Sequence, residues 1–147
     1  PNTWRTLTKD ECIYLANSRP NASTKMGVAQ VDGVNGLFLL PDNWECPSDI
    51  TFKIGFSSDY SVEAYGLHQT FTADEWMLME AAGAIFLPAA GYRRSTFFDR
   101  AQKYGRYWSA TEDDSYDAYY LYFYSDEGDI SYVDRYEGCS VRLVKDL

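Results

Sequence analysis

From Tyr119 to Tyr124 the chain reads Tyr-Tyr-Leu-Tyr-Phe-Tyr, and this run constrains the fold more than any other stretch. Period-two alternation puts Tyr119, Leu121 and Phe123 on one side of an extended strand, and Tyr120, Tyr122 and Tyr124 on the other. One face is predicted to build a core and the other to present phenols. Ser125-Asp126-Glu127-Gly128-Asp129 follows as a turn, in which Gly128 is expected to supply the positive φ of a short loop. Residues 130–135 then form the return strand. Glu137-Gly138 marks a second turn, and Ser140-Val141-Arg142-Leu143-Val144 reads as a closing strand.

Composition sharpens the expectation for this segment. Between Asp113 and Cys139 there are seven Tyr, six Asp and three Ser in 27 positions, with no Asn, Lys, Gln or His. Such a mixture resembles an antibody paratope, where rigid amphipathic rings give contact area at small entropic cost and short polar side chains adapt. The residues expected to point outward together are Asp113, Tyr116, Asp117, Tyr120, Tyr122 and Tyr124, followed by Asp129, Ser131, Tyr132, Asp134, Tyr136 and Cys139. Tyr122 and Tyr132 lie mid-strand and are the expected centre of that patch. The same composition also suits a tyrosine-rich sheet face without a ligand.

At 147 residues the chain is expected to be a single domain, spanning 1–147, that buries about 68–70% of its unfolded surface. A net charge of −9 disfavours nucleic acid and anionic membranes as partners, since both are polyanions, and favours a basic or neutral target. No apolar run approaches the ~18 residues of a bilayer-spanning helix. The start at Pro1, without Met, reads as a mature fragment or a trimmed chain. Cys12, Cys46 and Cys139 are scattered, with no CxxC pair or Cys/His cluster, so no structural zinc site is expected and three free thiols are the reading.

Taken in order, Trp4 to Leu7 reads as a short strand. Thr8-Lys9-Asp10-Glu11 has capping-box spacing and opens a helix to about Ser18. Strands around Val28–Val31 and Leu37–Leu40 flank a Gly-containing turn, and the second is apolar on both faces. Residues 48–70 read as a long irregular loop with a short strand at 52–56, and His68 within it as incidental. Thr72-Ala73-Asp74-Glu75 repeats the capping box and opens a second helix with Trp76 and Met79 inward. Ile85 to Tyr92 is a buried strand, 93–103 a polar excursion, and 105–111 another strand. The acidic loop of Glu112, Asp113, Asp114 and Asp117 carries oxygens of the kind a cation needs but reads as solvated, so neither metal nor cofactor is expected.

The order of elements predicts an α+β class. Trp4-Arg5 before a capped helix, residues 86–93, residues 105–111 and residues 140–144 together resemble the Fibrobacter succinogenes major paralogous domain. That resemblance implies a C-type lectin-like fold, two helices packed on antiparallel sheets. The Tyr/Asp/Ser enrichment also resembles the variable proteins of diversity-generating retroelements in gut Bacteroidetes and their phages. There, adenine randomisation turns Asn codons into Tyr, Asp, Ser, Gly or Cys but not Glu, which marks Glu112, Glu127 and Glu137 as framework. What this implies is a non-enzymatic binding domain for a protein or carbohydrate target, at a bacterial cell surface, extracellular, or on a phage particle. Two alternatives stand beside it: a formylglycine-generating-enzyme-like catalyst using Cys139, and a structural surface module that binds nothing.

Overall fold

The computed structural model of the protein describes residues 3–145. Strand β1 (Trp4–Thr6) leads into helix α1 (Lys9–Ile13). The capping box is formed: the Glu11 N–H donates to Thr8 Oγ1 at 3.3 Å, and the Thr8 N–H donates to Glu11 Oε2 at 2.8 Å. A π-type turn, Tyr14–Ser18, carries the helix to its expected end. Strands β2 (Met26–Val31) and β3 (Val34–Leu39) form a hairpin about Asp32-Gly33, with φ of 46° and 80°. Positive φ at both central residues matches the twist of paired strands.

The stretch expected to be an irregular loop contributes two elements. Helix α2 (Ala64–His68) buries Ala64 and Tyr65, and strand β4 (Thr70–Phe71) pairs with β2 in parallel. Residues 52–56 form no strand, only an isolated bridge from Gly55 to Gly27. Helix α3 (Ala73–Ala81) starts at the second capping box and buries Trp76 and Met79. Strand β5 (Ile85–Pro88) completes a four-stranded sheet in the order β4-β2-β3-β5.

Beyond β5 the single buried strand expected to reach Tyr92 is broken. Pro88 has no N–H to give a ladder. Gly91 takes φ 71°, and a Cβ there would stand 2.2 Å from the Asp99 carbonyl oxygen. The chain instead turns into a hairpin of β6 (Tyr92–Arg94) and β7 (Phe97–Asp99), where the sequence predicts only a polar excursion. Strands β8 (Gly105–Glu112), β9 (Asp117–Phe123) and β10 (Gly128–Asp134) make an antiparallel sheet with β9 in the middle. The expected closing strand is divided. Ser140 bridges to Tyr107, while β11 (Leu143–Lys145) pairs with β1.

Gly128 does not have positive φ; it opens β10 opposite Phe123, and its missing side chain leaves room for Phe56, whose ring a Cβ would meet at 3.1 Å. Strand β3 feeds two cores. Leu37 and Leu39 join Cys12, Val28, Tyr65, Leu87, Leu121 and Phe123 between the two larger sheets. Phe38 packs on the other side with Phe71, Trp76 and Met79, beneath α3.

These elements overturn the expected C-type lectin-like arrangement of two helices packed on antiparallel sheets. The protein is sheet-rich, 39% strand against 19% helix, and among the described residues the strands lie in four small sheets with one pairing parallel. Among the described residues the α-helices are only five, five and nine residues long, too short to form the expected helical layer. The class is α+β at most. The physical cause lies in the breaks at Pro88 and Gly91, which part β5 from the β6–β7 hairpin, and in β4, which joins the β2–β3–β5 sheet in parallel.

In the larger core Phe123 closes over Gly105, its partner across β8 and β9, where a Cβ on the glycine would lie 2.1 Å from the ring. Phe123→Ala is expected to cost about 3–5 kcal/mol in urea denaturation, and Gly105→Ala about 1–3 kcal/mol. In the Phe123→Ala background the glycine substitution should cost much less, because the ring it strikes is gone.

Candidate recognition surface

Register across the three-stranded sheet decides which residues share a face. Tyr122 stands opposite Arg106 and Asp129, and Tyr120 opposite Trp108 and Ser131. Leu121 and Phe123 face the core with Tyr107 and Ile130. Tyr119 shares that second face but is half-buried, its ring under the Lys9 ammonium at 4.0 Å.

The Tyr120 face is packed rather than open. Tyr120 is 6% exposed and Tyr104 3%. Tyr104 stacks on Tyr124 with ring centroids 4.0 Å apart and planes at 10°, and Tyr60 covers Tyr124 edge-on at 4.9 Å. The Arg106 guanidinium lies 3.8 Å from the centroid of Tyr92, 4.8 Å from Tyr104 and 5.1 Å from Tyr120. Burial, then the carboxylates of Glu127 and Asp129, push the Tyr122 phenol up to about 12. Burial also raises Tyr104 well above the usual phenol range.

One buried carboxylate anchors this layer. The Glu137 side chain is fully buried; Arg94 Nε donates to its Oε1 and Arg106 Nη1 to its Oε2, both at 2.7 Å. The bond and charge of Glu137 raise the Arg94 pKa. Glu137 thereby fixes the second turn to β6 and β8. Gly138 completes the join, its N–H donating to the Arg93 carbonyl at 2.7 Å and its own carbonyl accepting from the Arg93 N–H at 2.8 Å.

A second group lies where β9 and β10 end together, at the Asp117–Asp134 pair. The N–H groups of Tyr116 and Asp117 donate to Asp114 Oδ1 at 2.7 and 2.8 Å. The Arg135 N–H donates to the Tyr116 carbonyl at 2.8 Å, and Arg135 pairs with Glu112. The Tyr119 hydroxyl donates to Asp113. From this pinned backbone Tyr116 projects 77% exposed, Tyr136 71% and Tyr132 56%. A hydrogen bond to Asp134 raises the Tyr136 phenol, and burial with Asp114, Asp134 and Asp113 around it raises the Asp117 carboxyl.

The twelve residues expected to form one patch therefore fall into two groups and a remainder. Tyr120, Tyr122, Tyr124, Asp129 and Ser131 belong to the phenol and guanidinium face, with Tyr120 buried. Asp113, Tyr116, Asp117, Tyr132, Asp134 and Tyr136 belong to the rim at the end of the hairpin. The cause is register: Tyr132 stands opposite Tyr119, not Tyr120, so Tyr122 and Tyr132 point to opposite faces. Cys139 joins neither group. It is half-buried, and burial pushes its thiol up to about 12 despite Arg106 nearby, with Glu137 adding to the rise.

Sequence reading missed Tyr60, Tyr92, Tyr104 and Arg106. A signal existed for two of them, because Tyr104, just before β8, and Arg106 and Trp108 within it alternate as Tyr120 and Tyr122 do through β9. Among the described residues, no group of three or more His, Cys, Asp or Glu is arranged to hold a metal ion.

Fold and surface together define a sheet-rich α+β domain with a braced, tyrosine-bearing rim. A family model described as a domain of unknown function, DUF8237, matches residues 66–144, and the chain belongs to that family. The match runs from within α2 into β11 and contains both groups of the surface. No curated protein and no solved structure matches the chain.

Glu137→Gln should cost on the order of 3 kcal/mol in chemical denaturation, since it leaves Arg106 without its charged partner in a largely buried site. An unchanged midpoint would show the pair to be effectively solvated. The thiols give a separate check. In native protein at pH 8, iodoacetamide should label exposed Cys46 and spare Cys12 and Cys139, whose burial raises them to about 11 and about 12; rapid labelling of Cys139 would contradict its packing.

Proposed function

We propose that this domain is a non-enzymatic recognition module and that the rim formed by Asp113, Tyr116, Asp117, Tyr132, Asp134 and Tyr136 engages a protein or glycan target. The observation that carries this reading is the combination of three exposed phenols with a backbone already fixed by side-chain hydrogen bonds. A loop ordered before binding loses little entropy on binding, so each ring contact contributes more of its energy to affinity. Phenols supply flat apolar area together with a hydroxyl that can donate or accept, which suits both a protein epitope and a sugar face.

Variation of these positions between copies of the gene, at a bacterial surface or on a phage particle, is part of the same reading. Exposed rim positions such as Tyr116 and Tyr136 can change with little cost to the fold. Tyr120 is different, because its ring packs against Trp108 at 6.2 Å and under the Arg106 guanidinium. Variation should therefore concentrate on the rim.

The test is a panel of immobilised glycans and bacterial surface proteins probed with three forms of the domain. Wild type should bind a discrete subset. The Tyr116→Ser/Tyr136→Ser form should lose that subset with its melting temperature nearly unchanged, each ring contributing about 2 kcal/mol if it is central to the contact. Tyr120→Ser should lower the melting temperature. Undiminished binding by the double variant would remove the rim from the site.

A further inference from the structure

A cleft of about 440 Å³ lies between α1 with the turn that follows it, strands β3 and β5, strands β8 and β9, and β11. Leu15, Leu87 and Leu121 form part of its floor, and Leu143 part of the wall contributed by β11. Ile85 and Leu143 are exposed, so the cleft reaches the surface. Its volume is within the roughly 300–1,000 Å³ typical of small-molecule sites, and such sites are mostly apolar with a few placed polar groups.

The placed groups here are both cations. The chain has 22 acidic residues against 13 Lys and Arg, yet among the described residues the only charged ones lining the cleft are Arg142 and Lys145. Neither forms an ion pair with a described residue. We propose that this cleft binds a small amphipathic anion, a medium-chain fatty acid or similar acyl carboxylate, with its hydrocarbon on the leucine floor and its carboxylate at Arg142 and Lys145. The hydrocarbon leaves water for an apolar wall, and the guanidinium offers a carboxylate two parallel N–H donors. An aliphatic amine would meet two like charges in the same position. The floor is a low-dielectric one: burial pushes the Cys12 thiol in its wall up to about 11. The cleft is separate from the tyrosine rim, so this inference does not depend on the function proposed for the rim.

Calorimetric titration with decanoate, decanol and decylamine, each below its micelle concentration, tests the assignment. Decanoate should bind at least tenfold more tightly than decylamine and raise the melting temperature. Arg142→Glu/Lys145→Glu should weaken decanoate at least tenfold and leave decanol unchanged, and Ile85→Trp at the exposed mouth should block both. Equal binding of decanoate and decylamine, no binding heat, or undiminished affinity after charge reversal would overturn the proposal. So would undiminished binding to the Ile85→Trp form, which would place the ligand elsewhere. Loss of decanoate binding in a chain extended beyond residues 1–147 would assign the cleft to protein rather than to an acyl carboxylate.

Discussion

Strand β9 is enclosed on both faces, and most of the molecule is arranged to make that possible. Its odd-numbered side chains, Leu121 and Phe123, enter a hydrocarbon core, and its even-numbered ones enter a layer of phenols closed by Arg106. A central strand can be apolar on both sides without difficulty. A strand carrying hydroxyls on one side needs partners there, because an unpaired buried hydroxyl costs about 1–3 kcal/mol. The rings of Tyr92, Tyr104 and Tyr60 and the Arg106 guanidinium supply that environment. Glu137 in turn neutralises Arg106, so a single carboxylate in a turn keeps a cation under the aromatic layer.

How much of this was legible depended on the range over which each feature is determined. Both helix starts were legible because a capping box is contained in four residues, and Thr8-Glu11 and Thr72-Glu75 formed as written. The β2–β3 hairpin was legible for the same reason, its turn being set by Asp32-Gly33. That the Tyr120 face of β9 is covered was not legible, because the cover depends on rings brought from Tyr60, Tyr92 and Tyr104. The placement of Tyr132 depended on register, which the residues between Phe123 and Gly128 set by their backbone path. Composition identified a tyrosine-rich segment but carried no information on that parity. The C-type lectin-like fold failed on a longer range still: short motifs do not encode how a break at Gly91 redistributes strands among sheets.

The two groups of tyrosines show how one composition can serve two physical roles. In the packed layer a phenol behaves as a large apolar ring whose hydroxyl is tied into a network, and Tyr104 on Tyr124 is the clearest case. At the rim the same side chain stands in water on a fixed backbone. Acidic residues divide in the same way. Glu137 is enclosed and paired twice, while Asp114 uses its carboxylate to hold two backbone N–H groups of an exposed loop. What separates the roles is the neighbouring chain and not the residue type.

The pairing of β1 with β11 has a mechanical consequence. Trp4 lies directly opposite Lys145, at the end of the ladder where the two flanks leave it. Tension applied through both flanks therefore pulls the strands apart like a zip, loading one hydrogen-bonded pair at a time, rather than shearing the three pairs together. The ribbon is then the part that yields first under load, while the β8–β9–β10 sheet stays outside the line of force. Because Leu143, Val144 and Lys145 form one wall of the apolar cleft, the first step of such peeling would also open that cleft.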